Sequence, residues 1–228
     1  MKVIVSIGGS VLVPTVDADR VAAYAAVIEG LDDAGHTVGL VVGGGPTARE
    51  YIGAARELGA NEIELDQLGI AVTRLNARLL IAALDDRAAP TPPEDHDRAR
   101  EALQRGDIPV MGGTVAGHTT DAVATALAEY TDADLLIYAT SVDGVYSADP
   151  SEDSEATKFD RLSPGELVDI VGGIELEAGS NAPVDLLATK LLERSGLRAI
   201  VLDGTEPELV ADAVDGDHDG TEIVPEER

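Results

Sequence analysis

The sequence predicts an α/β protein built on parallel strands, and three observations predict it. Short apolar runs of strand length, such as Val3 to Ile7 and Val38 to Val42, alternate with longer segments of helical period. The runs end in loops rich in glycine or threonine, and helices start from those loops. The stretch from Gly112 to Pro150 shows the pattern whole: GGTVAGHTTD, AVATALAEYTDA, DLLIYAT and SVDGVYSADP read as a loop, a helix, a strand and a second polar loop. Open α/β sheets keep their sites at the carboxyl ends of strands. The first loop offers free amides and a helix dipole to an anion. The second offers Thr140, Ser141, Asp143, Tyr146 and Asp149 to another polar group. The segment reads as a two-ligand transferase site.

Composition narrows the class. The chain has 228 residues, 44% of them hydrophobic, enough for a full core and too many for a disordered chain. There is no internal repeat and no Ser/Gly linker, so residues 1–228 read as a single domain. There is no cysteine, which excludes disulfides and thiolate metal sites. The sequence has no continuous apolar run of bilayer length, and MKVIVSIGGSV lacks the basic start and cleavage site of a signal peptide, so a cytoplasmic location is expected. Acidic residues number 43 against 16 basic, a formal charge of −27, with only Lys2, Lys158 and Lys190 as lysines. Such a surface repels nucleic acid and anionic membranes, so neither is expected as a partner. The acids are spread over segments such as IEGLDDAG and PSEDSEA, which points to a halophilic source whose salt screens them.

In chain order, Val3 to Ile7 is a strand ending in Gly8-Gly9-Ser10, a pair of glycines that permits close backbone approach. A helix follows over Ala18 to Ala34, closed by Gly35. Val38 to Val42 runs into Gly43-Gly44-Gly45-Pro46-Thr47, a loop without side chains and a proline that opens a helix able to hold an anion. Arg49, one turn inside, reads as a phosphate contact because of that neighbour. Glu64 to Asp86 is a long helix, where Asp66 near the start reads on position alone as a charge complementing the dipole. Pro90, Pro92 and Pro93 break the pattern before a helix over Asp95 to Gln104 and a strand over Ile108 to Met111. Asp121 begins the next helix, where capping and function weigh equally. Ser163-Pro164-Gly165-Glu166 is a capping box opening a helix to Val171 that Gly172-Gly173 ends. Ala178 to Asn181 reads as a polar loop, Val184 to Arg194 as a helix, Arg198 to Leu202 as a strand and Glu206 to Val214 as a short helix. The final DHDGTEIV reads as a turn and an edge strand.

Repeated strand, Gly/Thr loop and helix start, without GxxxxGK[ST], suggest phosphate handling outside the P-loop class. Phosphoryl transfer suits this design because it asks for positioning and cations more than covalent work. Mg²⁺ would be needed to offset nucleotide charge in so acidic a chain. The blocks IGGSVL, VVGGGPTAREYI, LDQLGIAVTRLNARLL, IPVMGGTVAGHTTDAVATALAE, ATSVDGVYSADP and DLLATKLLERSG resemble the archaeal-type uridylate kinases of the amino-acid kinase family. GHTTDA and VDGVYSADP at their mutual spacing are specific, whereas the glycine loops mark only the wider family.

The resemblance implies a three-layer αβα sandwich with a mostly parallel central sheet, a homohexamer, and Mg-dependent transfer of the ATP γ-phosphoryl group to UMP in pyrimidine biosynthesis, with UTP as a feedback inhibitor. Carried onto this chain, it puts Gly9, Ser10, Gly45 and Arg49 on the ATP phosphates, and Thr140, Tyr146 and Asp149 on the adenosine. Gly44 faces UMP, Asp66 its ribose, and Thr114, Val115, Ala116, Gly117, His118, Thr119 and Thr120 its phosphate and base. Asp121 and Lys190 take the catalytic positions, and no metal ligand is assigned. The chain departs from the family at Ser6, where most members carry a lysine. Lys190, backbone amides and Mg²⁺ remain as sources of positive charge. Three alternatives stay open: a sister kinase for isopentenyl phosphate or acetylglutamate, a non-catalytic nucleotide or oxyanion binder on the same fold, and an unrelated Rossmann-type oxidoreductase, which the absence of GxGxxG opposes.

Overall fold

The computed structural model describes residues 1–150, 153, 155–175 and 184–225. Seven strands form one sheet in the order β3-β2-β1-β4-β6-β7-β5. Strand β1 (Lys2–Ile7) is central and lies parallel to β2 (Thr37–Val42) on one side and to β4 (Leu135–Thr140) on the other. Beyond β2 is β3 (Val110–Met111); beyond β4 are β6 (Ala199–Asp203), β7 (Thr221–Ile223) and β5 (Arg161–Leu162). All pairings are parallel except β6 with β7. The helices are α1 (Gly9–Leu12), α2 (Ala18–Asp33), α3 (Gly45–Glu57), α4 (Glu62–Leu84), α5 (His96–Arg105), α6 (Thr120–Tyr130), α7 (Pro164–Glu175), α8 (Leu186–Ser195) and α9 (Glu208–Asp215).

Side-chain alternation along the strands builds two cores, one on each face of the sheet. Val3, Val5 and Ile7 of β1 point to the face covered by α2, α4 and α9, where Tyr24, Ile28, Leu80, Leu84 and Val210 are buried. Ile4 points to the other, against Val123 and Leu127 of α6, Leu167 of α7 and Leu192 of α8. A three-layer sandwich follows, because buried parallel strands need apolar cover on both sides. Ser6 shares the parity of Ile4 and so faces the α6 layer, only 2% exposed.

Helix ends follow the chemistry of their sequences. Asn61 and Glu64 close a capping box at α4, and Ser163 and Glu166 close another at α7. α4 is long and apolar enough by composition to cross a membrane. It nevertheless buries Leu65, Val72, Ala77 and Leu80 in the protein and bears Glu62, Glu64, Asp66, Arg74 and Arg78.

Several boundaries differ from the sequence-based expectation. α7 runs through Gly172 and Gly173 to Glu175, because helical glycines are destabilising but tolerated where neighbouring residues pack the helix. β7 is not an edge: it sits between β6 and β5, and the two-residue β5, too short to show a period, takes the edge. Gly8-Gly9-Ser10 is more than a turn, since a short helix starts at Gly9. α4 begins at Glu62, two residues before the expected start, because Asn61 caps it. The polar loop expected over Ala178 to Asn181 lies outside the described residues.

The loop after β1 meets the loop after β2 so closely that a Cβ on Gly9 would lie 2.1 Å from the Gly45 nitrogen and 2.5 Å from the Gly43 carbonyl carbon. Gly9→Ala must push these backbones apart and should cost about 2 kcal/mol or more in urea unfolding. Gly53→Ala, where a Cβ in α3 meets nothing within 4 Å, should instead stabilise by about 0.5–1 kcal/mol. Equal effects of the two substitutions would disprove the contact.

Candidate active site

The topology reverses at β1. The chain moves outward through β2 to β3 and then returns to place β4 on the other side of β1. Ile7 pairs with Val42 on one side and Ala139 on the other, so the ends of three strands open at one place, the position where doubly wound sheets form a ligand crevice. Backbone bonds carry the sheet past its strands: Gly8 N–H donates to Ala139 at 2.9 Å and Gly43 N–H to Ile7 at 2.9 Å.

Gly9, Ser10, Gly44, Gly45 and Arg49 are gathered at this end. Gly44 caps α3, and Gly45 has φ +64°, a left-handed conformation that glycine adopts without strain. The Asn76 side-chain amide, on α4, donates to the Gly43 carbonyl at 2.9 Å and the Gly44 carbonyl at 3.2 Å, fixing the loop from below. Arg49, exposed on α3, donates to the Ser10 hydroxyl at 3.2 Å. Amides at the start of α3 together with an available guanidinium form a surface suited to phosphate oxygens.

The residues from Gly112 to Thr119 make a second loop, held by the same helix. Thr73 Oγ1 accepts from Gly113 N–H at 2.7 Å, and Asp66 accepts from Gly117 N–H at 2.7 Å. Asp66, Thr73 and Asn76 therefore line one side of α4 and link both glycine loops. Gly117 has φ +82°, and His118 N–H donates to the Val115 carbonyl at 3.2 Å, giving a tight turn. Val115 is 56% exposed at its tip, with His118 also exposed and Thr114 and Ala116 half-buried. Thr119 caps α6, accepting from Ala122 N–H at 3.1 Å, and Thr120 is the first helical residue. The cap is thus Thr119, which frees Asp121 from the capping role that its position in the sequence also allowed.

Asp121 lies in the first turn of α6 and turns toward β1, where the Ser6 hydroxyl donates to Oδ1 at 2.8 Å. Burial pushes its carboxyl up to about 7; the Ser6 hydrogen bond pulls the other way, and the neighbouring Asp185 adds to the rise. Asp185 caps α8 through the amides of Leu187 and Ala188 and accepts the Thr119 hydroxyl, so it ties α8 to the second loop. Behind Asp121, Thr125 donates to its carbonyl at 2.7 Å, and Tyr138 bonds Thr125 at 2.6 Å.

The loop after β4 is organised separately. Thr140 turns the chain by accepting from Val142 N–H at 3.1 Å. Asp143 accepts from Tyr146 at 2.8 Å and from Lys158 at 3.0 Å, and Lys158 donates as well to the Asp219 carbonyl at 3.0 Å. Burial raises Asp143, but these two donors outweigh it and hold the carboxyl below its ordinary range. Asp149 closes the segment, its carbonyl accepting from Asp153 N–H at 2.9 Å. Lys2, at the opposite end of β1, is bound to the Thr131 carbonyl. Lys190 is exposed on α8 and pairs with Glu193 at 3.2 Å, so Lys190 is not drawn into the Ser6–Asp121 pair.

A model of the amino acid kinase family matches residues 1–203. The chain belongs to that family. Among its relatives, a uridylate kinase of Haloarcula marismortui is 71% identical over 99% of this chain and 100% of its own length. Another uridylate kinase, of Natronomonas pharaonis, is 64% identical and covers 100% of both chains. The crystal structure of uridylate kinase from Archaeoglobus fulgidus superposes with a TM-score of 0.89 at 50% identity, covering 98% of this chain and 100% of that one. The family fold matches the mostly parallel sheet between helical layers described above.

Thr73, Asn76 and Asp185 lie inside blocks that carry the resemblance and Lys158 lies outside them, and none of the four was expected to hold these loops, yet all do. For the first two a signal existed: Asp66, Thr73 and Asn76 recur at intervals of seven and three on an otherwise apolar helix, the spacing of one helical side.

Asp121 also sets a pH dependence of stability. Its folded value lies above the ordinary 3.8, so between 3.8 and about 7 the folded state binds more protons than the unfolded one. Stability is therefore lost as pH rises through that window. Asp121→Asn cannot ionise, and its stability relative to the parent should increase by about 1–4 kcal/mol between pH 4 and pH 8. Urea unfolding at the two pH values and fixed salt checks this, and a falling difference contradicts it.

Proposed function

We propose that this chain is a uridylate kinase, transferring the γ-phosphoryl group of Mg–ATP to UMP to give UDP and ADP for pyrimidine nucleotide synthesis in the cytoplasm. The observation that carries the reading is the convergence at the end of β1: the glycine cradle of β1 and β2 lies on one side and the loop leading to Asp121 on the other. Two anions held by such loops face each other across the strand end. In the reaction a UMP phosphate oxygen forms a bond to the γ-phosphorus as the bond to the β,γ-bridging oxygen breaks, and ADP leaves with that electron pair.

Gly9, Ser10, Gly45 and Arg49 take the ATP phosphates, and Thr140, Tyr146 and Asp149 the adenosine. Gly44, Asp66 and Thr114, Val115, Ala116, Gly117, His118, Thr119 and Thr120 take UMP. The accessibility of the Gly117 N–H and the Asp66 carboxylate, bonded to each other at 2.7 Å on an exposed and a half-buried residue, supports this, since each can exchange that partner for ligand. Among the described residues no group of three or more His, Asp or Glu side chains is spaced to hold a metal ion. Magnesium would arrive as part of the ATP substrate, and no protein ligand is assigned to it.

Lys190 is the proposed cation of the transition state. Its helix is tied to the UMP loop through Asp185 and Thr119, and its ammonium must exchange Glu193 for phosphate. Self-association to a hexamer and inhibition by UTP are proposed on the resemblance alone.

Release of ADP, measured by a coupled assay with UMP, CMP and isopentenyl phosphate in turn, should be fastest with UMP. Equal or faster turnover of isopentenyl phosphate would assign the chain to a sister kinase, and no turnover with any of them would leave a binding protein. Lys190→Ala should lower kcat by on the order of 100-fold while UMP affinity changes less than about threefold. Parent-like kinetics would remove Lys190 from the mechanism.

A further inference from the structure

The Ser6 side chain is buried at the last inward-facing position of β1, on the layer that holds α6. Among the described residues its hydroxyl has one partner, donating to Oδ1 of Asp121 at 2.8 Å. The groups facing that carboxyl are Ser6 from β1, Asp185 from the start of α8 and Tyr138 from β4. Among the described residues no lysine, arginine or histidine forms an ion pair with Asp121 or Asp185. Two carboxylates thus lie beside the proposed phosphoryl-transfer site with a neutral hydroxyl in the place where a cation would ordinarily balance them. A hydroxyl can donate one proton to a carboxylate, and that bond favours the ionised form.

We propose that Ser6 is a positioning residue for the transfer reaction: its hydroxyl aims the Asp121 carboxyl and governs the pH at which that carboxyl becomes charged and the enzyme turns on. The Thr125 bond fixes the Asp121 backbone, and Thr119 fixes the start of the helix. Ser6 is the group that reaches the carboxyl itself. With Asp121 ionised, the site can attract and orient the lysine charge that transfer requires. With Asp121 protonated, it holds a neutral acid beside two incoming phosphates and the lysine loses its anchor. The inward rise caused by burial puts the change near neutrality, in the working range of a kinase.

The inference rests on the kinase reading for its effect on turnover but not for the Ser6–Asp121 coupling, and two measurements separate these. First, ¹³C-labelled aspartate carboxyls are titrated by NMR, with the Asp121 signal assigned by its loss in Asp121→Asn. Ser6→Ala should raise the Asp121 midpoint by about one pH unit, the strength of one hydrogen bond to a charged group, and Ser6→Thr should restore it. An unchanged midpoint in Ser6→Ala overturns the proposal, whether or not the protein turns over UMP. If Ser6→Ala does not fold, Ser6→Cys, close in size and a weak donor, serves in its place with the same expected shift.

Second, kcat is followed from pH 5 to pH 9 at saturating ATP and UMP. The acidic limb of Ser6→Ala should move up with the NMR midpoint, giving a roughly fivefold loss at pH 7 and parent-like kcat at pH 9, with KM for UMP nearly unchanged. A uniform loss at every pH, or a change confined to KM or thermal stability, would make Ser6 a structural residue only. A parent enzyme without UMP turnover but with a Ser6-dependent midpoint would defeat the functional reading and leave the coupling intact.

Discussion

The architecture depends on one close approach of main chain to main chain, where Gly9 meets Gly43 and Gly45 at the ends of β1 and β2. No side chain of any kind fits there. Because both loops lack side chains, the helices that follow them, α1 and α3, start beside each other and aim their first amides into one small region. The same contact fixes Arg49 over Ser10. Asn76 stabilises the arrangement by satisfying the Gly43 carbonyl, which would be costly to leave unpaired in buried backbone, and by adding a second donor to the Gly44 carbonyl that Ala48 N–H already reaches.

A single long helix supports both halves of the site. α4 sends Asn76 to the first glycine loop, Thr73 to Gly113 and Asp66 to Gly117. The two glycine loops are therefore set by one helix, and any shift of α4 moves both. α8 connects from the opposite layer through Asp185 and Thr119, which relates the proposed catalytic lysine to the same loop. The loop after β4 depends on another partner, Lys158, which also reaches the Asp219 carbonyl and so ties this loop to the C-terminal segment.

The electrostatics of the site contrast with those of the surface. In a chain of formal charge −27 the end of β1 gathers backbone dipoles and one arginine, beside a carboxyl whose pKa burial raises to about 7. Carboxylates on the outside are screened by salt; at Asp121 burial raises the pKa most, the Ser6 hydroxyl lowers it and Asp185 raises it further. Local structure thus sets the potential at the end of β1, largely independent of the net charge.

The sequence alone determined the α/β class, the strands β1 and β2 and the glycine loops after them, because apolar runs and glycine clusters encode local conformation directly. It also carried the family through blocks such as GHTTDA. Only the tertiary structure decided that α7 continues through Gly172-Gly173, that β7 is interior, and that Thr119 rather than Asp121 caps α6. It alone brought Ser6 to Asp121, which are 115 positions apart, and Asp66 to Gly117, which are 51 apart. The reason is physical: periods and propensities report interactions between near neighbours in the chain, whereas a hydrogen bond between distant segments exists only once packing has fixed where each side chain points.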